Sequence, residues 1–287
     1  AHARCAGRGI AAGRTGENMT DSGLTVKNVT LGDITVAYSE AGDGAPVVFL
    51  HGLAEGKETW REQQESLTEV HTFAYDLRGH GGSSVGTGQG TLEQLGEDLL
   101  AFLADVSGPA TAVGFSLGGT IVLWAAAKRP DLVTRAVVLG TSSVVGRGAL
   151  PFYAKRVEQA ADTKSQAFRQ AVRDDTAAAI VSRSDVLDQI VEARLAAIGD
   201  GSGYINAAKA MTALHESPLT PLLRNIEVPV DVVGATDDAF CPRKAANIIL
   251  AALPNGKYHE VTGAGHLMNV DQPDQVTNIL GKILMPS

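Results

Sequence analysis

A serine in a glycine-rich turn is the first residue of this sequence that could do chemistry. Residues 114–118, Gly-Phe-Ser-Leu-Gly, have the G-x-S-x-G spacing of a nucleophile elbow, in which the glycines leave room for a strained serine. A short apolar run, residues 110–113, precedes it, and residues 120–129 favour a buried helix that ends before Pro130. The spacing therefore predicts that Ser116 lies between a strand and a helix, near backbone N–H groups that stabilise negative charge.

A base and an acid that could activate this serine follow later in the chain. A serine hydroxyl is a poor nucleophile unless a base takes its proton, and that base must itself be oriented by an acid. His266 ends a glycine-rich loop after the run 257–261, and Asp237 and Asp238 follow the apolar run 230–233. The order serine, aspartate, histidine is the order expected for such an elbow. Either aspartate could serve as the acid.

The composition excludes several classes of partner. The chain has 287 residues, 44% of them hydrophobic, and a net charge of −8, which disfavours nucleic acid. No apolar run approaches the roughly 18 residues of a membrane span, so we expect no membrane partner. Cys5 and Cys241 predict neither a disulfide framework nor a cysteine zinc site, which fits a reducing, cytoplasmic compartment. Three further histidines have no metal-ligand spacing: His71, His215 and His259.

Short apolar runs alternate with helical patterns along most of the chain. This alternation predicts an α/β fold with a mainly parallel sheet and a ligand site at the carboxyl ends of its strands. An antiparallel pair is expected at residues 24–29 and 34–38. Further strands are expected at residues 46–50, 72–76, 110–113, 136–139, 230–233 and 257–261. Helices are expected at residues 59–70, 92–104, 120–129, 243–252 and 272–284.

The alternation stops between residues 146 and 220. This stretch has helical patterns at residues 152–161, 165–179, 185–198 and 204–215, and no convincing strand. We therefore predict an α/β core, residues 19–145 and 221–287, with an inserted helical cap, residues 146–220. Residues 1–18 are rich in Gly, Ala and Arg and are expected to be an unstructured leader or upstream extension.

Four motifs in this order give the chain a clear resemblance. They are residues 49–52 (Phe-Leu-His-Gly), 76–81 (Asp-Leu-Arg-Gly-His-Gly), 114–119 and 263–266 (Gly-Ala-Gly-His). From about Leu24 onward the chain resembles the α/β-hydrolase superfamily, in the group of 3-oxoadipate enol-lactonases and cofactor-free haloperoxidase-type esterases. The resemblance implies the α/β-hydrolase fold, with a mainly parallel central sheet, flanking helices and an inserted helical cap.

The resemblance also implies roles for single residues. Ser116 would attack the acyl carbon, and His266 would take and return the proton. The oxyanion hole would be the backbone N–H groups of Leu53, which follows His51-Gly52, and of Leu117. For the acid, the family's glycine spacing selects Asp237, whereas its proline spacing and the counts from the neighbouring strand and from the histidine favour Asp238. We therefore expect Asp238, with Asp237 as the alternative.

The expected function is hydrolysis of a small carboxylic ester or lactone through an acyl-enzyme, with no cofactor and no metal. Four aromatic residues are candidates for the acyl or alcohol pocket: Phe152, Tyr153, Phe168 and Tyr204. One arginine of the helical stretch is expected to anchor an acidic substrate, and Arg147, beside a strand end, is singled out from the set Arg147, Arg156, Arg169, Arg173, Arg183 and Arg194. The alternatives are a non-catalytic small-molecule receptor on the same fold, a thioesterase or acyltransferase, and a carbon–carbon bond hydrolase. The sequence leaves a homo-oligomer open.

Overall fold

The computed structural model describes the backbone of residues 18–19 and all of residues 23–285. Apart from the backbone of Asn18, the expected leader at residues 1–18 lies outside the described residues. The described strands form one sheet in the order β1-β2-β3-β5-β4-β6-β7-β8-β9. They are β1 (Asn18–Met19), β2 (Thr25–Leu31), β3 (Ile34–Ala41), β4 (Ala45–Leu50), β5 (Val70–Tyr75), β6 (Ala110–Phe115), β7 (Val133–Leu139), β8 (Val230–Ala235) and β9 (Gly256–Val261).

The sheet has an antiparallel edge and a parallel main part. β1 to β3 pair antiparallel with one another, and β3 is antiparallel to β5. From β5 through β4 and β6 to β9, every neighbouring pair is parallel. The carboxyl ends of β4, β6, β8 and their parallel neighbours therefore meet at one edge, which is where ligands bind in open α/β sheets.

Helices cover both faces of the sheet and continue over this edge. They are α1 (Arg61–Ser66), α2 (Leu92–Phe102), α3 (Leu117–Lys128), α4 (Leu150–Gln159), α5 (Gln166–Ala179), α6 (Leu187–Ile198), α7 (Ser202–Ala213), α8 (Arg243–Ala252), α9 (Met268–Asp271) and α10 (Pro273–Leu284). On β4, Val48 and Leu50 pack into one buried cluster, whereas Val47 and Phe49 pack into another. This burial on both faces explains why the strand is a continuous apolar run.

The expected elements largely match the described ones. The exception is the helix expected at residues 59–70, which is a 3₁₀ turn, Lys57–Trp60, followed by the short α1. The chain leaves helical geometry at Leu67, because β5 begins only three residues later at Val70.

The segment between β7 and β8 contains α4 to α7 and, within residues 146–220, no strand. The core and cap boundaries at residues 145/146 and 220/221 stay a prediction.

Candidate active site

Ser116 occupies a strained turn between β6 and α3. Its φ of 50° and ψ of −116° lie in a backbone region that residues other than glycine rarely adopt. The close packing explains the neighbouring glycines: a Cβ at Gly114 would lie 2.3 Å from the carbonyl oxygen of Gly118, and a Cβ at Gly118 would lie 2.5 Å from that of Leu50. The strand-to-helix corner predicted from the spacing is therefore present.

The structure brings Ser116, His266 and Asp238 into one hydrogen-bonded chain. The Ser116 Oγ lies 3.1 Å from Nε2 of His266. Nδ1 of the same ring lies 2.9 Å from Oδ2 and 3.0 Å from Oδ1 of Asp238. The backbone N–H groups of Phe240 and Cys241 donate to Oδ1 of Asp238 at 2.9 and 2.8 Å, which fixes the carboxylate. This arrangement can move a proton from a serine hydroxyl to an oriented imidazole.

Asp237 points elsewhere. Its side chain is exposed, and its carboxylate accepts a hydrogen bond from the Thr236 hydroxyl at 2.7 Å. The Thr236 hydroxyl in turn accepts one from the backbone N–H of Gly263 at 2.9 Å. The geometry therefore places Asp238, and not Asp237, next to the histidine.

Two aromatic rings flank the imidazole of His266. The ring centroids of Phe115 and Phe240 lie 4.9 and 5.2 Å from that of His266. Phe115 is buried, whereas Phe240 is 41% exposed. Phe240 is therefore the ring of the two that faces solvent.

Two residues whose backbone N–H groups are oxyanion-hole candidates lie beside the nucleophile, Leu117 at the start of α3 and Leu53 in the loop after β4. Leu117 is the first residue of α3, so its N–H has no carbonyl partner within the helix. Leu53 lines the same cavity as Ser116. These are the two amides expected from the sequence, and their use as an oxyanion hole belongs to the proposal below.

His51 holds the loop after β4 in place by hydrogen bonds. Its Nε2 accepts a hydrogen bond from the backbone N–H of Leu77 at 2.9 Å, so the proton resides on Nδ1, which donates to the Gly52 carbonyl at 2.8 Å. Burial, reinforced by the neighbouring His80, lowers the pKa of His51 to about 3. The ring is therefore neutral at physiological pH and holds the loop by hydrogen bonds.

Glu55 is a site residue that the sequence did not reveal. It is only 5% exposed and lines the cavity, and its Oε2 accepts a hydrogen bond from the Gly52 N–H at 3.2 Å. Burial raises the pKa of Glu55, although the charge of Arg194 partly opposes this shift. In the sequence it resembles any acidic loop residue, because nothing local marks it as buried.

A cavity of about 340 Å³ opens beside Ser116 and His266. Phe152 and Tyr153 both line it, as expected from the sequence. Tyr204 also lines it, and burial raises the pKa of Tyr204 to about 12, so its hydroxyl stays neutral. Most of the other lining side chains are apolar: Leu53, Val144, Val145, Ala149 and Met211.

The structure does not bring Arg147 to this cavity. Arg147 is exposed at the start of a 3₁₀ turn, and its neighbours Gly146 and Ala149 occupy the side of the turn that lines the cavity. Among the described lining residues the arginine is Arg194, on α6. Arg147 is therefore not in position to anchor a substrate in this cavity.

Within residues 23–285, no group of three or more His, Cys, Asp or Glu side chains is arranged to hold a metal ion. None of the described helices has the length and apolar character needed to cross a membrane.

Comparisons with known proteins agree with this fold. The model of the alpha/beta hydrolase fold family matches residues 45–273. The 3-oxoadipate enol-lactonase 2 of Acinetobacter baylyi is 26% identical over 270 residues, which cover 89% of this chain and 95% of that protein.

Two solved structures are similar throughout. The enol-lactonase from Burkholderia xenovorans has a TM-score of 0.78 and 22% identity, over 90% of this chain and 99% of that one. A thermophilic esterase from Thermogutta terrifontis has a TM-score of 0.77 and 24% identity, over 90% and 97%. At these identities the structures show the fold alone. Together with the family match, they confirm the predicted fold class and resemblance.

Proposed function

This chain belongs to the alpha/beta hydrolase fold family, and on that premise we propose that it hydrolyses carboxylic esters or lactones through an acyl-enzyme on Ser116. The observation that carries the proposal is the hydrogen-bonded chain from the Ser116 Oγ through His266 to Asp238, at 3.1 and 2.9 Å. The similarity to an enol-lactonase, at 26% identity, supports the same bond type.

Acylation of the serine is the first half of the reaction. The Ser116 Oγ attacks the acyl carbon while Nε2 of His266 takes its proton, and Asp238 stabilises the resulting imidazolium. The N–H groups of Leu53 and Leu117 stabilise the oxyanion of the tetrahedral intermediate, each by roughly 3 kcal/mol. The intermediate collapses, the bond to the alcohol oxygen breaks, and the imidazolium gives its proton to that oxygen.

Water completes the cycle. His266 takes a proton from a water molecule that attacks the acyl-enzyme, and a second tetrahedral intermediate forms in the same oxyanion hole. When this intermediate collapses, Ser116 recovers its proton and the acid leaves. A lactone follows the same path, except that the leaving alcohol stays attached to the acyl chain.

The cavity assigns further parts of the proposal. Phe152 and Tyr153 contact the substrate's apolar portion in the cavity under the helical segment, residues 146–220, which we propose as the cap. The partner is a small molecule. The cysteine content supports a cytoplasmic location.

Hydrolysis of 4-nitrophenyl butyrate by the wild-type protein and by Ser116→Ala tests the function. We expect turnover with a burst in the wild type and a loss of at least about 10³-fold in the variant. A fluorophosphonate should label the wild type at Ser116, as seen by peptide mass spectrometry. Equal rates in both proteins would overturn the serine mechanism, and tight ligand binding without turnover would favour the receptor alternative.

A further inference from the structure

Arg194 is held at the wall of the catalytic cavity by few contacts. Its Nη1 donates to the Thr176 hydroxyl at 2.8 Å, and its Nη2 lies 3.4 Å from the carbonyl oxygen of Leu53. Its Nε is buried and has no hydrogen-bond partner in the described part of the chain. The guanidinium therefore keeps a donor unused beside the cavity.

Arg194 also differs from the other arginines of the helical segment, of which only the exposed Arg147 likewise has no ion pair among the described residues. Four of these arginines form ion pairs: Arg156 with Asp175, Arg169 with Glu192, Arg173 with Asp188, and Arg183 with Asp185. In residues 23–285, no carboxylate oxygen lies within 4.0 Å of the Arg194 guanidinium nitrogens. A half-buried cation without a counterion is unfavourable unless a ligand supplies one.

Two acidic side chains, Glu55 and Asp175, line the cavity, and neither forms an ion pair with Arg194. Asp175 makes a two-point ion pair with Arg156, with both nitrogen–oxygen distances at 2.7 Å. Glu55 accepts from the Gly52 N–H, and its burial favours the protonated form. The positive charge of Arg194 is therefore available to an anion that enters the cavity.

We propose that Arg194 is a specificity-determining residue that binds a carboxylate of the substrate, so that the preferred substrates are anionic esters or lactones. This inference rests on the proposed function. A guanidinium matches a carboxylate in geometry and forms charge-assisted hydrogen bonds with it. Ser116 attacks the ester carbonyl at one place in the cavity while Arg194 holds the carboxylate at another, which orients the substrate.

Matched substrates that differ by a carboxylate in place of a methyl group test the proposal. For the acyl side they are mono-4-nitrophenyl succinate and 4-nitrophenyl butyrate, and for the alcohol side 4-acetoxybenzoate and 4-methylphenyl acetate. The ratio of kcat/KM within each pair should favour the anion in at least one pair. In Arg194→Gln that ratio should fall at least about tenfold.

Arg173→Gln is the matched control, because it removes an exposed positive charge of the same helical segment away from the cavity. We expect it to leave both ratios within about twofold of the wild type, since exposed ion pairs contribute little. Arg194→Lys keeps the charge without the planar fork, so it should retain part of the preference.

The outcomes separate the inference from the proposed function. If the wild type hydrolyses the neutral esters through Ser116 but favours the neutral member of both pairs, the preferred substrates are not anionic and the inference is overturned. Ratios that are equal in the wild type and Arg194→Gln overturn the inference in the same way. Hydrolysis of none of the four esters, with no labelling of Ser116, refutes the proposed function instead.

Discussion

The Asp271 carboxylate accepts a hydrogen bond from the backbone N–H of Gly265, the residue before His266, at 2.8 Å. It also accepts from the N–H groups of Val181, Ser182 and Arg183 at 3.0, 2.8 and 3.1 Å, and from the Ser182 hydroxyl at 3.0 Å. Burial opposes ionisation, but these donors outweigh it and lower the pKa of Asp271. One carboxylate thus ties the segment after α5 to the histidine loop.

Asp271→Asn should destabilise the protein at pH 7 by about 2 kcal/mol, because several buried donors lose a charged acceptor. The folded pKa of Asp271 lies below the ordinary value of 3.8. The stabilisation is therefore present above pH 3.8 and disappears as the pH falls through the folded value. Urea unfolding at pH 7 and pH 3 measures this, with the exposed Asp274→Asn as control. A difference that persists unchanged at pH 3 would contradict the assignment.

Glu55→Gln should stabilise the protein at pH 8. The folded pKa of Glu55 lies above the ordinary value of 4.5, because burial disfavours the carboxylate. As the pH rises above 4.5, the unfolded chain releases this proton more readily than the folded one, so the wild type loses stability that Gln keeps. Unfolding curves measured at both pH values should show a difference in unfolding free energy between Glu55→Gln and the wild type at pH 8 that disappears at pH 4. Glu65→Gln, at an exposed position, should show no such pH dependence.

Replacing Asp237 or Asp238 by asparagine should show which of the two carboxylates supports catalysis. Asp238→Asn should lower kcat by about 10³- to 10⁴-fold, because the imidazole loses the group that fixes its tautomer and stabilises its cation. Asp237→Asn should stay within about twofold of the wild type, as its carboxylate contacts an exposed hydroxyl. Steady-state kinetics with 4-nitrophenyl butyrate measures both, and the reverse pattern would move the acid role to Asp237.

Phe240→Ala should raise KM more than it lowers kcat. The ring packs on His266 and lines the cavity, and aromatic contacts of this kind contribute roughly 0.5–1.5 kcal/mol, or about two- to tenfold in KM. Phe240 is 41% exposed, so thermal stability should change little. Phe240→Leu should recover part of the binding. An unchanged KM with a large fall in kcat would show that the ring acts mainly by orienting the imidazole.

The catalytic candidates could be predicted because their signals are local. The glycine spacing around Ser116 reflects close backbone contacts within one turn, and His266 ends a short loop after a strand. The choice between Asp237 and Asp238 depended on the loop's path after β8, which composition does not determine. The family's proline spacing and the counts along the chain favoured Asp238, and the three-dimensional path turns the Asp237 carboxylate outward and the Asp238 carboxylate inward.

The residues that line the cavity around the catalytic candidates were harder to predict. Periodicity identifies helices, but it does not tell which side of a helix lies over Ser116. Arg147 seemed suitable because it closely follows a strand, whereas Arg194, 47 positions later, reaches the cavity from α6. Glu55 was missed because its burial results from contacts with segments distant in sequence.

The hydrogen bond between Ser116 and His266 joins positions 150 residues apart in the chain. At a synthesis rate of about 5–20 residues per second, the ribosome makes the serine roughly 8–30 s before the histidine. On the proposed mechanism, the nascent chain therefore carries the serine without its base, and we expect no ester hydrolysis until β8 and β9 add to the sheet. In refolding, recovery of activity should accordingly lag behind recovery of helical signal.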